Sequence, residues 1–124
     1  MIIGVGLDIA QVERVERAWR RHGERFLERC FTQAEAAEAL ARHRPGQALA
    51  MRFAAKEAFS KAAGLGMRGL AWREIEVVHD KRGKPSLELH GRARAWMDDN
   101  QVTGCHLSLS DDGGLAAAVV VLEK

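Results

Sequence analysis

The sequence predicts an α+β fold with helices mainly in the first half, packed on a small antiparallel sheet. Three observations predict it. Helical periodicity and Ala-rich runs concentrate between Gln11 and Ala63. Apolar alternation of the strand kind takes over after Trp72. Two turn signals, one around Gly83 and one at Asp111-Asp112-Gly113-Gly114, join those strands as hairpins.

In chain order, residues 2–9 (IIGVGLDI) are apolar and β-branched and read as a buried strand ending at Asp8. From Gln11 to His22 the pattern turns helical. Val12, Val15, Trp19 and His22 share one side, while Arg14, Arg17 and Arg21 lie on the other. Gly23 is placed to cap that helix, and a resumed helix would add Phe26 to the apolar side. Thr32 with Glu35 three residues on resembles a capping box that opens a short helix to about Ala41. His43 to Gly46 reads as a loop. Gln47 to Ala63, rich in Ala, Leu, Met, Lys and Glu, reads as a long helix, with Gly64 and Gly66 past its end. Trp72–His79 and Pro85–His90 are expected strands around an Asp80–Lys84 turn, followed by a helix over Arg92–Asn100. His106–Ser110 and Leu115–Leu122 complete the set.

At 124 residues the chain is expected to form one domain, 1–124, long enough to bury a core without disulfides. Apolar residues at 47% and charged residues at 29% exclude disorder. No apolar run spans a membrane, Met1 to Ala10 does not read as a signal peptide, and Cys30 and Cys105 lack metal or disulfide spacing. A cytoplasmic protein is expected. Net charge is only +2, but its distribution is uneven. From Arg14 to Arg29 six arginines face three glutamates, and from Arg42 to Lys61 five basic residues face Glu57 alone. Such zones suit anionic partners.

Asp8 closes an apolar strand, so its charge must be solvated or paired; it either caps the next helix or serves a metal or catalytic role. Glu57 and Lys61 sit four apart on one helical face. They make either an i,i+4 ion pair or a site where the carboxylate holds Mg²⁺ and the lysine neutralises a phosphate. The second reading requires the first strand to lie beside the long helix. The glycines from Gly64 to Gly69 follow a helix rather than precede one, so they form no P-loop or dinucleotide fingerprint. They serve chain reversal, with backbone amides available to a phosphate. His106 in a strand is either structural or functional. The Arg14/Arg17/Arg21 face is either solvated or a docking surface. Aromatic and basic residues do not interleave as a single-strand nucleic-acid platform requires.

Five segments then combine: GVGLDIAQVERVER, CFTQAE, RFAAKEAFSKAAGLG, DKRGKP and HLSLSDDGGLAAAVVVLE. Together they resemble the holo-acyl-carrier-protein synthase family, the small 4′-phosphopantetheinyl transferases, over nearly the whole chain. The resemblance implies transfer of 4′-phosphopantetheine from coenzyme A to a serine hydroxyl of apo-acyl carrier protein, a step serving fatty-acid biosynthesis, with release of adenosine 3′,5′-bisphosphate. It implies Asp8 and Glu57 as Mg²⁺ ligands, Lys61 on the diphosphate, and Glu57 as acceptor of the serine proton, directly or through a metal-bound water. Arg52 and His106 would lie near the nucleotide, with Gly64, Gly83, Lys84 and Pro85 among the coenzyme A contacts. Arg14, Arg17 and Arg21 would engage the acidic carrier, with Phe26 and Met51 at the rim. Family members are homotrimers with active sites across subunit boundaries, and neither nucleic acid nor membrane is an expected partner. One position departs: many relatives carry His after the second serine of the strand, whereas this chain has Asp111, expected to face the turn. The rival readings are a Mg²⁺-dependent nuclease and a non-catalytic basic docking module.

Overall fold

The computed structural model describes residues 1–124. The elements are β1 (Ile2–Gln11), α1 (Val12–His22), α2 (Glu24–Cys30), α3 (Gln33–Leu40), α4 (Pro45–Ala62), a 3₁₀ turn (Trp72–Glu74), β2 (Ile75–His79), β3 (Pro85–Leu89), α5 (Gly91–Asp99), β4 (Gly104–Asp112) and β5 (Leu115–Glu123). β1, β5 and β4 form an antiparallel sheet in that order, and β2 with β3 forms a separate hairpin. The expected α+β class holds, and most boundaries fall within two residues of expectation. Pro45 and Gly46, expected in a loop, instead begin α4. Proline suits a first helical turn, where its missing N–H has no partner to lose. The strand expected from Trp72 begins only at Ile75.

α4 runs through the middle. Its Ala54, Ala55, Ala58, Phe59 and Ala62 pack with β2, β3, α5 and the sheet, while Leu49 and Ala50 pack with α1, α2 and α3. The small side chains bring the sheet close, and β1 matches them with glycines. A Cβ on Gly4 would strike the carbonyl oxygen of Ala62, and one on Gly6 that of Ala58. No side chain can occupy that space, so β1 lies almost backbone to backbone on α4. Since side chains alternate along a strand, Gly4, Gly6 and Asp8 share the face turned to α4, and Val5, Leu7 and Ile9 face outward.

The helix also carries charge inward. Lys56 and Glu35 are fully buried side chains joined at 2.7 Å. The ammonium also donates to the carbonyls of Trp72 at 3.0 Å and Ile75 at 2.6 Å. Glu35 completes the Thr32 capping box and accepts from Val77 N at 2.8 Å. Every donor of Lys56 is thereby satisfied, the condition under which a buried ion pair is tolerable. It ties α3, α4 and β2 together.

Gly6→Ala is expected to cost about 1–3 kcal/mol of stability, as overpacked cores do, because the collision is with backbone. Urea unfolding checks this; an unchanged midpoint would show that β1 does not need the close approach.

Candidate active site

Extension of the glycine face by one alternation delivers Asp8 to the same flank of α4 as Glu57 and Lys61. β1 continues past Asp8 because its ladder with β5 runs on to Gln11–Leu115. Asp8 is therefore inside the strand and caps nothing; the residue before α1 is Gln11, without a side-chain cap. Asp8 Oδ1 accepts from Lys61 Nζ at 3.0 Å, and the same ammonium donates to Leu7 O at 3.1 Å. The i,i+4 ion pair between Glu57 and Lys61 that the spacing allows gives way to this cross-element contact, since Asp8 offers the closer carboxylate.

The Glu57 carboxylate is left without a hydrogen bond or ion pair of its own. Partial burial, and then the negative charge of Asp8, push its carboxyl above the ordinary glutamate value, while Lys61 pulls it down. Both acids line a cleft of about 340 Å³ whose walls include Arg14, Val15, Phe26 and Phe53. Phe53 is stacked on Trp72, with ring centroids 4.6 Å apart. The second oxygen of Asp8 and both oxygens of Glu57 are free to bind. Two carboxylates open to water are a donor set that fits a hard divalent cation, which keeps several waters and takes further oxygens from a phosphate. A different trio, Glu76, Glu88 and His90, also brings ligand atoms within 4.8 Å of one another. There, however, the Glu76 carboxylate is already engaged by Thr32 at 2.7 Å and His90 at 2.9 Å.

The remaining candidates divide between two other surfaces. Gly83, Lys84 and Pro85 line a second pocket of about 440 Å³ together with Arg42, Met51, His79 and Leu107. Met51 thus lies there and not beside Phe26. Arg52 is buried next to this pocket: its guanidinium donates to Glu38 Oε1 at 3.1 Å and to Ala48 O at 3.1 Å, and its Nε has no partner. Glu38 Oε1 also accepts from Arg42 at 3.1 Å and lies 3.0 Å from His79 Nδ1. One carboxylate thus serves two guanidiniums, a surplus of positive charge suited to an anion, while burial and then the charge of Arg52 hold the His79 imidazole below its ordinary pKa. Gly64 sits beyond the end of α4 in a positive-φ turn, with no residue against its Cβ position.

His106 is elsewhere. In the register Val5–Val121–His106 it lies on the outward face of the sheet, where its Nε2 is 2.7 Å from Glu123 Oε1. Asp111 lies on the inward face and accepts a hydrogen bond from the Gln47 amide at the start of α4, so it faces the helix and not the turn as expected. Arg14 borders the cleft, Arg17 pairs with Glu13 at 3.2 Å, and Arg21 is exposed. His22, expected on the buried side of α1, is also exposed. The second basic zone needs a larger correction. Lys56 and Arg52 point into the protein, so that stretch presents less positive surface than its composition implies. The sequence reading passed over Glu38, Arg42 and His79, because nothing local marks residues that meet only through the packing of α3, α4 and β2.

Comparison with known proteins adds the family. Residues 4–120 match the model of the 4′-phosphopantetheinyl transferase superfamily. The chain is 46% identical to the holo-[acyl-carrier-protein] synthase of Geobacter metallireducens, covering all of this chain and 99% of that one. A protein of the same name from Vibrio cholerae is also 46% identical, with the same coverage. Among solved structures, the holo-[acyl-carrier-protein] synthase of Neisseria meningitidis superposes with a TM-score of 0.93 at 38% identity, covering 100% of both chains. The Helicobacter pylori enzyme in complex with coenzyme A gives a TM-score of 0.85 at 30% identity, covering 96% of this chain and 99% of that one.

The electrostatic coupling within the cleft is measurable without substrate. Asp8→Asn removes the negative charge facing Glu57, so the Glu57 carboxyl should titrate at lower pH than in the parent. Carbon-13 NMR of the Glu57 side chain reads this directly; an unmoved or higher pKa would mean the two acids do not share a field.

Proposed function

The chain belongs to the 4′-phosphopantetheinyl transferase superfamily and transfers 4′-phosphopantetheine from coenzyme A to apo-acyl carrier protein, and we propose that Asp8, Glu57 and Lys61 carry that transfer. The observation supporting this reading is the convergence of one strand acid and one helix acid on a single open cleft, with a lysine bonded to the strand acid. The nuclease and docking-module readings draw no support from the relatives described above.

In this reading Asp8 and Glu57 would hold Mg²⁺, and the ion when bound would supply positive charge to offset that of the coenzyme A diphosphate. The serine oxygen attacks the phosphorus that bears the pantetheine arm. A phosphorus–oxygen bond forms, the bond to the bridging diphosphate oxygen breaks, and adenosine 3′,5′-bisphosphate leaves with the electron pair. Glu57, the carboxylate of the cleft that no cation engages, takes the serine proton. The Lys61 ammonium meets the charge that develops on the leaving oxygens. Arg14, with Arg17 and Arg21 behind it, draws in the acidic carrier, chiefly by speeding encounter, and Phe26 offers it an apolar contact.

The nucleotide half of the site is supplied by Gly83, Lys84 and Pro85 with the Arg52–Arg42–His79 cluster, which sits apart from the Asp8 cleft within one chain. A homotrimer reconciles them by placing one copy's nucleotide pocket against another's cleft. The sheet offers a surface for that assembly: Val5, Leu7 and Ile9 are 58–61% exposed, an apolar row of a kind that usually marks an interface. His106 shares that face and so would reach a neighbouring copy. Coenzyme A and its carrier are soluble, which suits a cytoplasmic enzyme, and no helix is long and apolar enough to cross a membrane.

Incubation with coenzyme A, Mg²⁺ and apo-acyl carrier protein should add one phosphopantetheine to the carrier by mass spectrometry, and chelation should stop it. Glu57→Ala should slow the transfer by about 10²-fold or more, the scale of a lost proton acceptor; a rate close to the parent would remove Glu57 from the mechanism. Leu7→Glu, which puts charge into the apolar row, should give a monomer by light scattering where the parent is a trimer. A trimeric variant would move the interface to another face.

A further inference from the structure

Lys61 occupies an unusual place for a residue that is to serve a diphosphate. Its ammonium is committed to β1, donating to Asp8 Oδ1 at 3.0 Å and to Leu7 O at 3.1 Å, and it is the only cation bonded to either acid of the cleft. Asp8 is only 15% exposed, so its charge needs a counter-ion when no metal is present. Lys61 is 51% exposed and belongs to the last turn of α4, with a four-carbon stem free to swing. Asp8, Glu57 and Lys61 together carry one net negative charge, too little to hold a divalent ion firmly against a neighbouring ammonium. We propose that Lys61 is a resident counter-ion that competes with the divalent metal for Asp8 and releases it when the diphosphate arrives, so that metal and coenzyme A bind cooperatively. The inference rests on the reading of Asp8 and Glu57 as metal ligands.

The physical argument is charge balance. A divalent ion about 5 Å from an ammonium, in a water-like and salt-screened surrounding, is repelled enough to weaken its binding about fivefold. Incoming diphosphate oxygens offer Lys61 a stronger partner than one shared carboxylate. Its departure then frees Asp8 and removes the repulsion together. Linkage makes the effect reciprocal: whatever factor coenzyme A adds to metal affinity, the metal adds to coenzyme A affinity.

The test is equilibrium binding of Mn²⁺, followed by the electron paramagnetic resonance signal of the free ion, with and without coenzyme A. Protein-free titrations correct for binding by the nucleotide itself. In the absence of coenzyme A, Lys61→Gln should bind Mn²⁺ about fivefold more tightly than the parent, even though it has lost a group of the active site, and coenzyme A should then improve its affinity less than it does the parent's. Lys61→Arg keeps the charge and should bind Mn²⁺ as weakly as the parent. Equal or weaker Mn²⁺ binding by Lys61→Gln overturns the proposal. If Asp8→Asn leaves Mn²⁺ binding untouched, the ion does not use this carboxylate, and the assignment of the metal ligands fails before the question of Lys61 arises.

Discussion

The near-contact of β1 with α4 is the constraint on which the rest depends. Gly4 and Gly6 remove the side chains that would hold strand and helix apart, and Ala58 and Ala62 do the same from the helix side. This closeness brings a strand carboxylate within hydrogen-bonding reach of a lysine fifty-three positions away in sequence. With ordinary side chains at those glycines, the packing distance of a helix on a sheet would leave a gap where the cluster now sits. The geometry of the Asp8–Lys61 contact is thus a consequence of an absence of side chains two and four residues upstream.

α4 does two jobs with one sequence. Toward β1 it presents Glu57 and Lys61 to the cleft, and on its other sides it buries Lys56 against Glu35 and Arg52 against Glu38. Burial holds Lys56 below its ordinary pKa, with the Glu35 charge opposing that shift. The two interior pairs anchor the helix to α3 and fix its rotation about its own axis, which in turn aims Glu57. They differ in one respect. Lys56 has every donor satisfied, whereas Arg52 keeps a buried Nε without a partner beside a pocket already crowded with positive charge. The first arrangement is complete within the fold, and the second is incomplete in a way that an anion would resolve.

Alternation along the sheet sorts the functional groups between two faces. Inward lie Asp8, the glycines and Asp111; outward lie Val5, Leu7, Ile9 and His106. A single chain therefore offers an acidic cleft on one side, and an apolar face bearing a histidine on the other.

Much of this was legible in the sequence, because it depends on local order. Strand alternation, the Thr32–Glu35 capping box, the long Ala-rich helix and the Gly83 and Gly113–Gly114 turns are near-neighbour effects, and the family resemblance rests on contiguous segments. The pairing of Glu57 and Lys61 by four-residue spacing was also visible, yet the lysine's actual partner, Asp8, was decided by the tertiary approach of β1 to α4. The same holds for the basic stretch from Arg42 to Lys61. Composition counts charges without knowing which way a helix turns them, and only packing against Glu35 and Glu38 sends Lys56 and Arg52 inside. Local sequence determined which chemical groups were available and in what elements; long-range packing decided their neighbours, because ion pairing depends on distances that sequence separation does not encode.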